Sequence, residues 1–208
     1  MYWYFDAWGK VGVWRKIQHA LYVQVRKAAG RSRRPSTVIL DSQSVKTGKM
    51  GGERGYDGGK RVKGRKRHIA VDSLGMPLAV TVTPANVHDL RGAKRVLQQV
   101  PKFLRKASHT LRRVYADGAY AAQSLRDWIQ ERFGAAMRIS KTLAQQFKKF
   151  IPVSQRWVVE RTFSWINDNR RLTIDYERTT QHSRFMLRMA AIRLMLNRLA
   201  PAEHTPDW

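Results

Sequence analysis

The apolar run Val38-Ile39-Leu40 is continuous rather than alternating, and it ends on a carboxylate, Asp41. A strand whose successive residues are all apolar is covered on both faces, so it belongs inside a sheet with helices on either side. The rest of the chain fits that architecture. Residues 68–86 contain two β-rich runs around Asp72-Ser73-Leu74-Gly75, which predicts a hairpin with Asp72 as a turn residue. Leu90, Ala93, Val96, Leu97 and Val100 share one face of a helix expected over 89–104. A short strand over 112–120 runs to Asp117 and then a glycine. A helix over 121–133, a strand over 135–140, a helix from 154 and a last, broadly apolar helix over 183–199 complete the series. Strands separated by helices imply an α/β fold, a mixed five-stranded sheet with helices packed on its faces.

Two segments stand apart. Residues 1–29 read as helical after Gly12, with Val13, Ile17, Leu21 and Val25 in register. Trp3, Trp8 and Trp14 are expected to pack against apolar surface rather than lie on a membrane. Residues 30–36, GRSRRPS, read as a basic linker, and residues 48–67, rich in glycine and positive charge, as a long mobile loop. The division is a helical segment and linker over 1–34, an α/β domain over 35–200 and a tail over 201–208. No apolar run approaches the ~20 residues of a membrane span. The chain has no cysteine, which excludes disulfides and thiolate sites and fits a cytoplasmic location.

Against 40 Lys and Arg stand 15 Asp and Glu, a net charge of +25. Such a chain repels itself, and a polyanion such as nucleic acid offsets the repulsion. Carboxylates are therefore few, and their placement is informative. Asp41 and Asp117 both fall at the expected carboxyl ends of strands, where open α/β sheets place their sites. Glu160 lies mid-helix in RWVVERTFSW, on one face with Arg156, Phe163, Ser164 and Asn167. Clustered carboxylates repel unless a cation holds them, and oxygen-only ligands suit Mg²⁺, or Mn²⁺ as a substitute. A pair of such ions ~3.5–4 Å apart supports phosphodiester chemistry. Lys46, Lys60, Lys63, Arg65, Lys66, Arg67 and Arg156 are the candidate phosphate contacts. Each acid alone also has a plain structural explanation: a strand end or turn for the aspartates, an i,i+4 pair with Arg156 for Glu160.

ILDSQSVKT, KGRKRHIAVDSLG, TPANVHD, YADGAY and RWVVERTFSWINDNRRL together resemble the DDE transposases of bacterial insertion sequences. They are similar to the insertion-sequence-five family within the insertion-sequence-four-like superfamily. The resemblance runs from residue 1 to Leu199. It implies an RNase H-like fold and a catalytic, metal-binding triad that maps onto Asp41, Asp117 and Glu160, with Arg156 in the family's R-x-x-x-E. It further implies DNA cleavage and strand transfer with two Mg²⁺ ions, a nucleoid-associated bacterial protein, and a homodimer or larger active complex. The superfamily's tyrosine and lysine positions are occupied here by Val153 and Asn167, so no role carries over to them. Relatives carry a further helical segment before residues 1–29, and the chain resembles the downstream frame of a split element. His88 and Asp89 match a recurrent family motif; His88 reads as a hydrogen-bonding residue at a helix start rather than a ligand. An RNase H-like nuclease without strand transfer, or a non-catalytic DNA-binding remnant, are the alternatives.

Overall fold

The computed structural model describes residues 2–49, 52–104, 110–140 and 154–200. Val153 and the tail 201–208 lie outside them. The described helices are α1 (Tyr2–Lys10), α2 (Val13–Ala28), α3 (Asp89–Leu97), α4 (Gln123–Phe133), α5 (Ser154–Asn167) and α6 (Thr180–Leu199). The strands are β1 (Thr37–Lys46), β2 (Gly55–Asp57), β3 (Val62–Val71), β4 (Pro77–Pro84), β5 (Arg113–Ala116) and β6 (Ala136–Ile139). β1 is flanked by antiparallel β3 and parallel β5, and β6 lies parallel beyond β5. β4 and the short β2 both pair with β3. This is the expected mixed sheet, with β2 as a sixth strand.

Side-chain alternation on β1 sorts the core into two layers. Val38 and Leu40 join Val96, Leu97, Leu125 and Ile129 on the side covered by α3 and α4. Ile39 joins Ile69, Val80, Val159, Phe163 and Ile166 beneath α5. α6 contributes to both layers, through Leu187 to one and Met195 to the other. α2 packs in the first layer through the fully buried Tyr22. At the N-terminus Phe5 meets Phe185, and Trp14 donates to the Phe5 carbonyl. Trp3 and Trp8, expected to be covered, remain 71% and 43% exposed, because α1 turns only its Phe5 and Gly9 side toward α6.

The expectation of a mobile loop over 48–67 is corrected: β2 and most of β3 lie there. Gly52, Gly55 and Gly64 in it serve close packing. A Cβ on Gly64 would sit 2.0 Å from the Val45 carbonyl oxygen. The basic run is buried with partners from distant chain: Arg65 with Asp175 at 2.9 Å, Lys66 with Asp57 at 3.2 Å and Asp89 at 3.1 Å. Arg67 donates to Asn167 at 3.4 Å, and its burial pulls the guanidinium down to about 10. Arg65, Lys66 and Arg67 are thus withdrawn as phosphate contacts. Lys46, Lys60, Lys63 and Arg156 are exposed.

Asp72 is the expected hairpin turn residue, and more. Its side chain accepts from the Leu74 and Met76 amides at 2.9 and 3.0 Å, while Gly75 supplies the φ of 81° that closes the turn. Fully buried, it also accepts from Tyr22 at 3.0 Å and pairs with Arg26.

Candidate active site

Asp41 does not end its strand. It is the fifth of ten residues of β1, but the parallel partner β5 pairs only through Ile39↔Tyr115. Asp41 and Asp117 each lie two residues beyond that last pair, on the face shared by Ile39 and Tyr115. Parity therefore turns both carboxylates toward α5, at one level on neighbouring chains, where strands lie ~4.8 Å apart. Asp41 Oδ1 accepts from the Ser42 amide at 2.7 Å. Asp117 caps the single 3-10 turn Gly118–Tyr120, accepting from the Ala119 amide at 3.0 Å. Both line a small cleft with Ser140, Arg156 and Val159.

Glu160, on α5, is half-exposed and does not line that cleft; its carboxylate accepts from Arg156 Nε, a cleft residue, at 2.8 Å. That hydrogen bond, then the charges of Glu160, Asp41 and Asp117, raises the Arg156 guanidinium further. All three acids thus lie within electrostatic reach of one arginine. Among the described residues, no three His, Asp or Glu side chains are gathered closely enough to hold a metal ion as they stand. An exposed ion pair such as Arg156–Glu160 is worth only about 0–1 kcal/mol, so Glu160 is readily released to a stronger cation. His88 is the N-cap of α3, where its Nδ1 accepts from the Leu90 amide at 3.3 Å.

Burial pushes the Asp41 carboxyl up to about 7, helped by the charges of Asp117 and Glu160 and opposed by the Ser42 amide and Arg156. An unfolded aspartate titrates near ~3.9. Between about 4 and 7 the folded protein holds a proton that the unfolded chain has lost, so this contribution to stability falls as pH rises through that window. In a chelator-treated sample, Asp41→Asn is expected to be more stable than wild type above pH 7, with the gain gone near pH 4. Half-buried His19 and buried His68, both pulled down to about 4 by desolvation, act in the opposite sense; they are common to both proteins and cancel in the difference. Urea unfolding at several pH values measures it, and a pH-independent difference would contradict the assignment.

A mixed sheet of this order, flanked by helices, places the chain in the RNase H-like class. The chain belongs to the transposase DDE domain family, whose model matches residues 32–196. It is also similar to a Burkholderia cepacia protein named as a transposase for insertion sequence element IS402, with 32% identity over 145 residues. That match covers 68% of this chain and 67% of the relative. Oxygen donors on adjacent strands, one of them held partly protonated by its surroundings, could hold a hard divalent cation, which would cancel their repulsion. Among the described residues, no helix is long and apolar enough to cross a membrane.

Sequence reading missed the far face of the same strands. Ser42 and Tyr120, inside ILDSQ and YADGAY, are buried or half-buried neighbours of the two aspartates. For Ser42 the signal was strand parity, since the residue after a site acid points to the opposite layer; Tyr120 sits in the turn after β5, which parity does not reach.

Proposed function

We propose that this chain is the catalytic part of an insertion-sequence transposase. It would cut DNA at the element's ends and transfer the freed 3′ end into target DNA. The observation that carries the reading is the placement of Asp41 and Asp117 on one sheet face, beneath the helix that bears Glu160, in a chain of net charge +25. Residues 35–200 would form the catalytic unit and 1–34 a helical segment docked on it. Asp41, Asp117 and Glu160, once released by Arg156, would hold two Mg²⁺ ions, or Mn²⁺ in their place. Bound there, the ions supply an activated water or hydroxyl and stabilise the leaving oxygen. In the first step the water oxygen bonds to phosphorus as the bond to the 3′ oxygen breaks, and the 3′ oxygen takes a proton. In the second, that 3′ hydroxyl attacks a target phosphodiester, displacing its 3′ oxygen. Arg156, freed from Glu160, would neutralise the phosphate between the acids.

The test is a plasmid carrying the reading frame with its flanking sequence, incubated with protein and Mg²⁺, Mn²⁺ or chelator. Metal-dependent nicks at the element ends together with joined product support the reading. Cutting without joining indicates a nuclease, and salt-sensitive binding without cutting a DNA-binding remnant. A homodimer or larger complex is expected on paired ends, measurable by mass photometry.

The exposed lysines are expected to behave differently from the buried basic run. Lys60→Ala and Lys63→Ala should weaken DNA binding equally across sequences, and each lost phosphate contact should reduce the slope of log K against log salt by about 0.9. An unchanged salt slope in the double variant would remove these residues from the interface.

A further inference from the structure

The β1–β5 ladder stops at Ile39↔Tyr115, so no backbone pairing fixes Asp41 against Asp117. On the opposite face, side chains bridge the gap. Ser42, the residue after Asp41, donates from Oγ to Asp89 Oδ1 at 2.9 Å. The buried Tyr120, last residue of the turn that Asp117 caps, lies beside the same Ser42. Asp89, at the start of α3, is held in turn by Lys66 Nζ at 3.1 Å. Lys66 is anchored on β3 and pairs again with Asp57 at 3.2 Å, which accepts from Ser44 Oγ at 2.5 Å. Ser42 is therefore the junction of three elements: the strand of Asp41, the turn of Asp117 and the first turn of α3.

We propose that Tyr120, Ser42 and Asp89 are positioning residues that set the separation of the Asp41 and Asp117 carboxylates, so that the pair is arranged for a divalent cation before one binds. The proposal rests on the reading of those aspartates as metal ligands. It gives a task to the Asp of the ANVHD motif, which touches neither carboxylate. Geometry explains why the link matters. Ions in a two-metal site sit ~3.5–4 Å apart, while strands beyond their last pairing are free to splay. Partners that orient ligands without touching the metal typically change its affinity by about 10–100-fold when removed. The buried charges also favour a rigid link, since Lys66 between two carboxylates loses a compensating partner if Asp89 moves.

The experiment is Mn²⁺ binding to the metal-free chain, read from the electron paramagnetic resonance signal of free Mn²⁺, beside thermal unfolding of each variant without metal. Tyr120→Phe keeps the ring in the core and deletes only the hydroxyl. It is expected to weaken Mn²⁺ binding about tenfold. Ser42→Ala should do the same, and the pair should be non-additive because both disturb one shared contact. Asp89→Asn, which keeps an acceptor for Ser42 but not the charge facing Lys66, should fall between. Asp117→Asn serves as the control that loses the site. If wild type binds Mn²⁺ through Asp117 while Tyr120→Phe and Ser42→Ala bind it unchanged, the positioning role is overturned and the metal-ligand reading stands. The positioning role falls equally if the variants lose melting temperature only. If wild type shows no Asp117-dependent Mn²⁺ binding, the metal-ligand reading fails and takes the proposal with it.

Discussion

Asp117→Asn is expected to abolish metal-dependent DNA cleavage while leaving DNA binding intact or slightly tighter. The substitution keeps size and shape, and the amide oxygen can still accept from the Ala119 amide that the carboxylate caps now at 3.0 Å. What disappears is one negative charge at the level of Asp41, and with it an oxygen donor of the proposed metal site. A loss of about three orders of magnitude corresponds to roughly 4 kcal/mol of barrier, at about 1.4 kcal/mol per tenfold. Removing a carboxylate from a chain of net charge +25 also lessens repulsion toward phosphate, so affinity is not expected to fall. Single-turnover cleavage and filter binding on the same DNA separate the effects. Cleavage within tenfold of wild type would remove Asp117 from the site. Glu160→Gln is a useful companion, because its carboxylate begins paired with Arg156.

The layers of this fold were legible because local pattern and burial agree. Val38-Ile39-Leu40 reads as a covered strand and is one, with all three side chains buried. The hairpin around Asp72 and the helix ending at Phe133 follow from turn residues and from Leu125 and Ile129. Where the reading failed, distant residues decided. Arg65, Lys66 and Arg67 look like a solvated charge run until Asp175, Asp57 and Asp89 arrive from elsewhere in the chain. No local period announces such partners. The end of β1 was misplaced for a related reason: Asp41 is polar, so the apolar run stops there, yet antiparallel pairing with β3 continues from Asp41↔Ile69 to Lys46↔Gly64. The residue types of the candidate site were visible in sequence; the parity that turns Asp41 and Asp117 toward α5, and Ser42 away from it, needed the register.

Asp72→Ala is expected to be the most destabilising of these substitutions. The carboxylate is wholly buried and accepts from Tyr22, Arg26 and the Leu74 and Met76 amides. Removing it strands the Arg26 guanidinium in the core and unties the hairpin turn at once. Breaking a buried pair from one side typically costs about 3–5 kcal/mol, which for a chain of this size lowers the melting temperature by about 6–20 °C. Arg26→Met alone should cost less, since Asp72 keeps the Tyr22 hydroxyl and the turn amides as donors. In the double variant Asp72→Ala, Arg26→Met the losses should be less than additive, because the stranded charge is gone. The effect also has a route to the candidate site. Thr162 on α5 donates to the Gly75 carbonyl of this same turn at 2.8 Å, two residues along the helix from Glu160. A loosened turn therefore loosens the helix that carries the third acid. Urea unfolding and hydrogen exchange on α5 measure the two consequences together. If Asp72→Ala unfolds within about 0.5 kcal/mol of wild type, the ordinary range of a surface change, the turn is not the clasp between α2, the hairpin and α5 that its bonds describe.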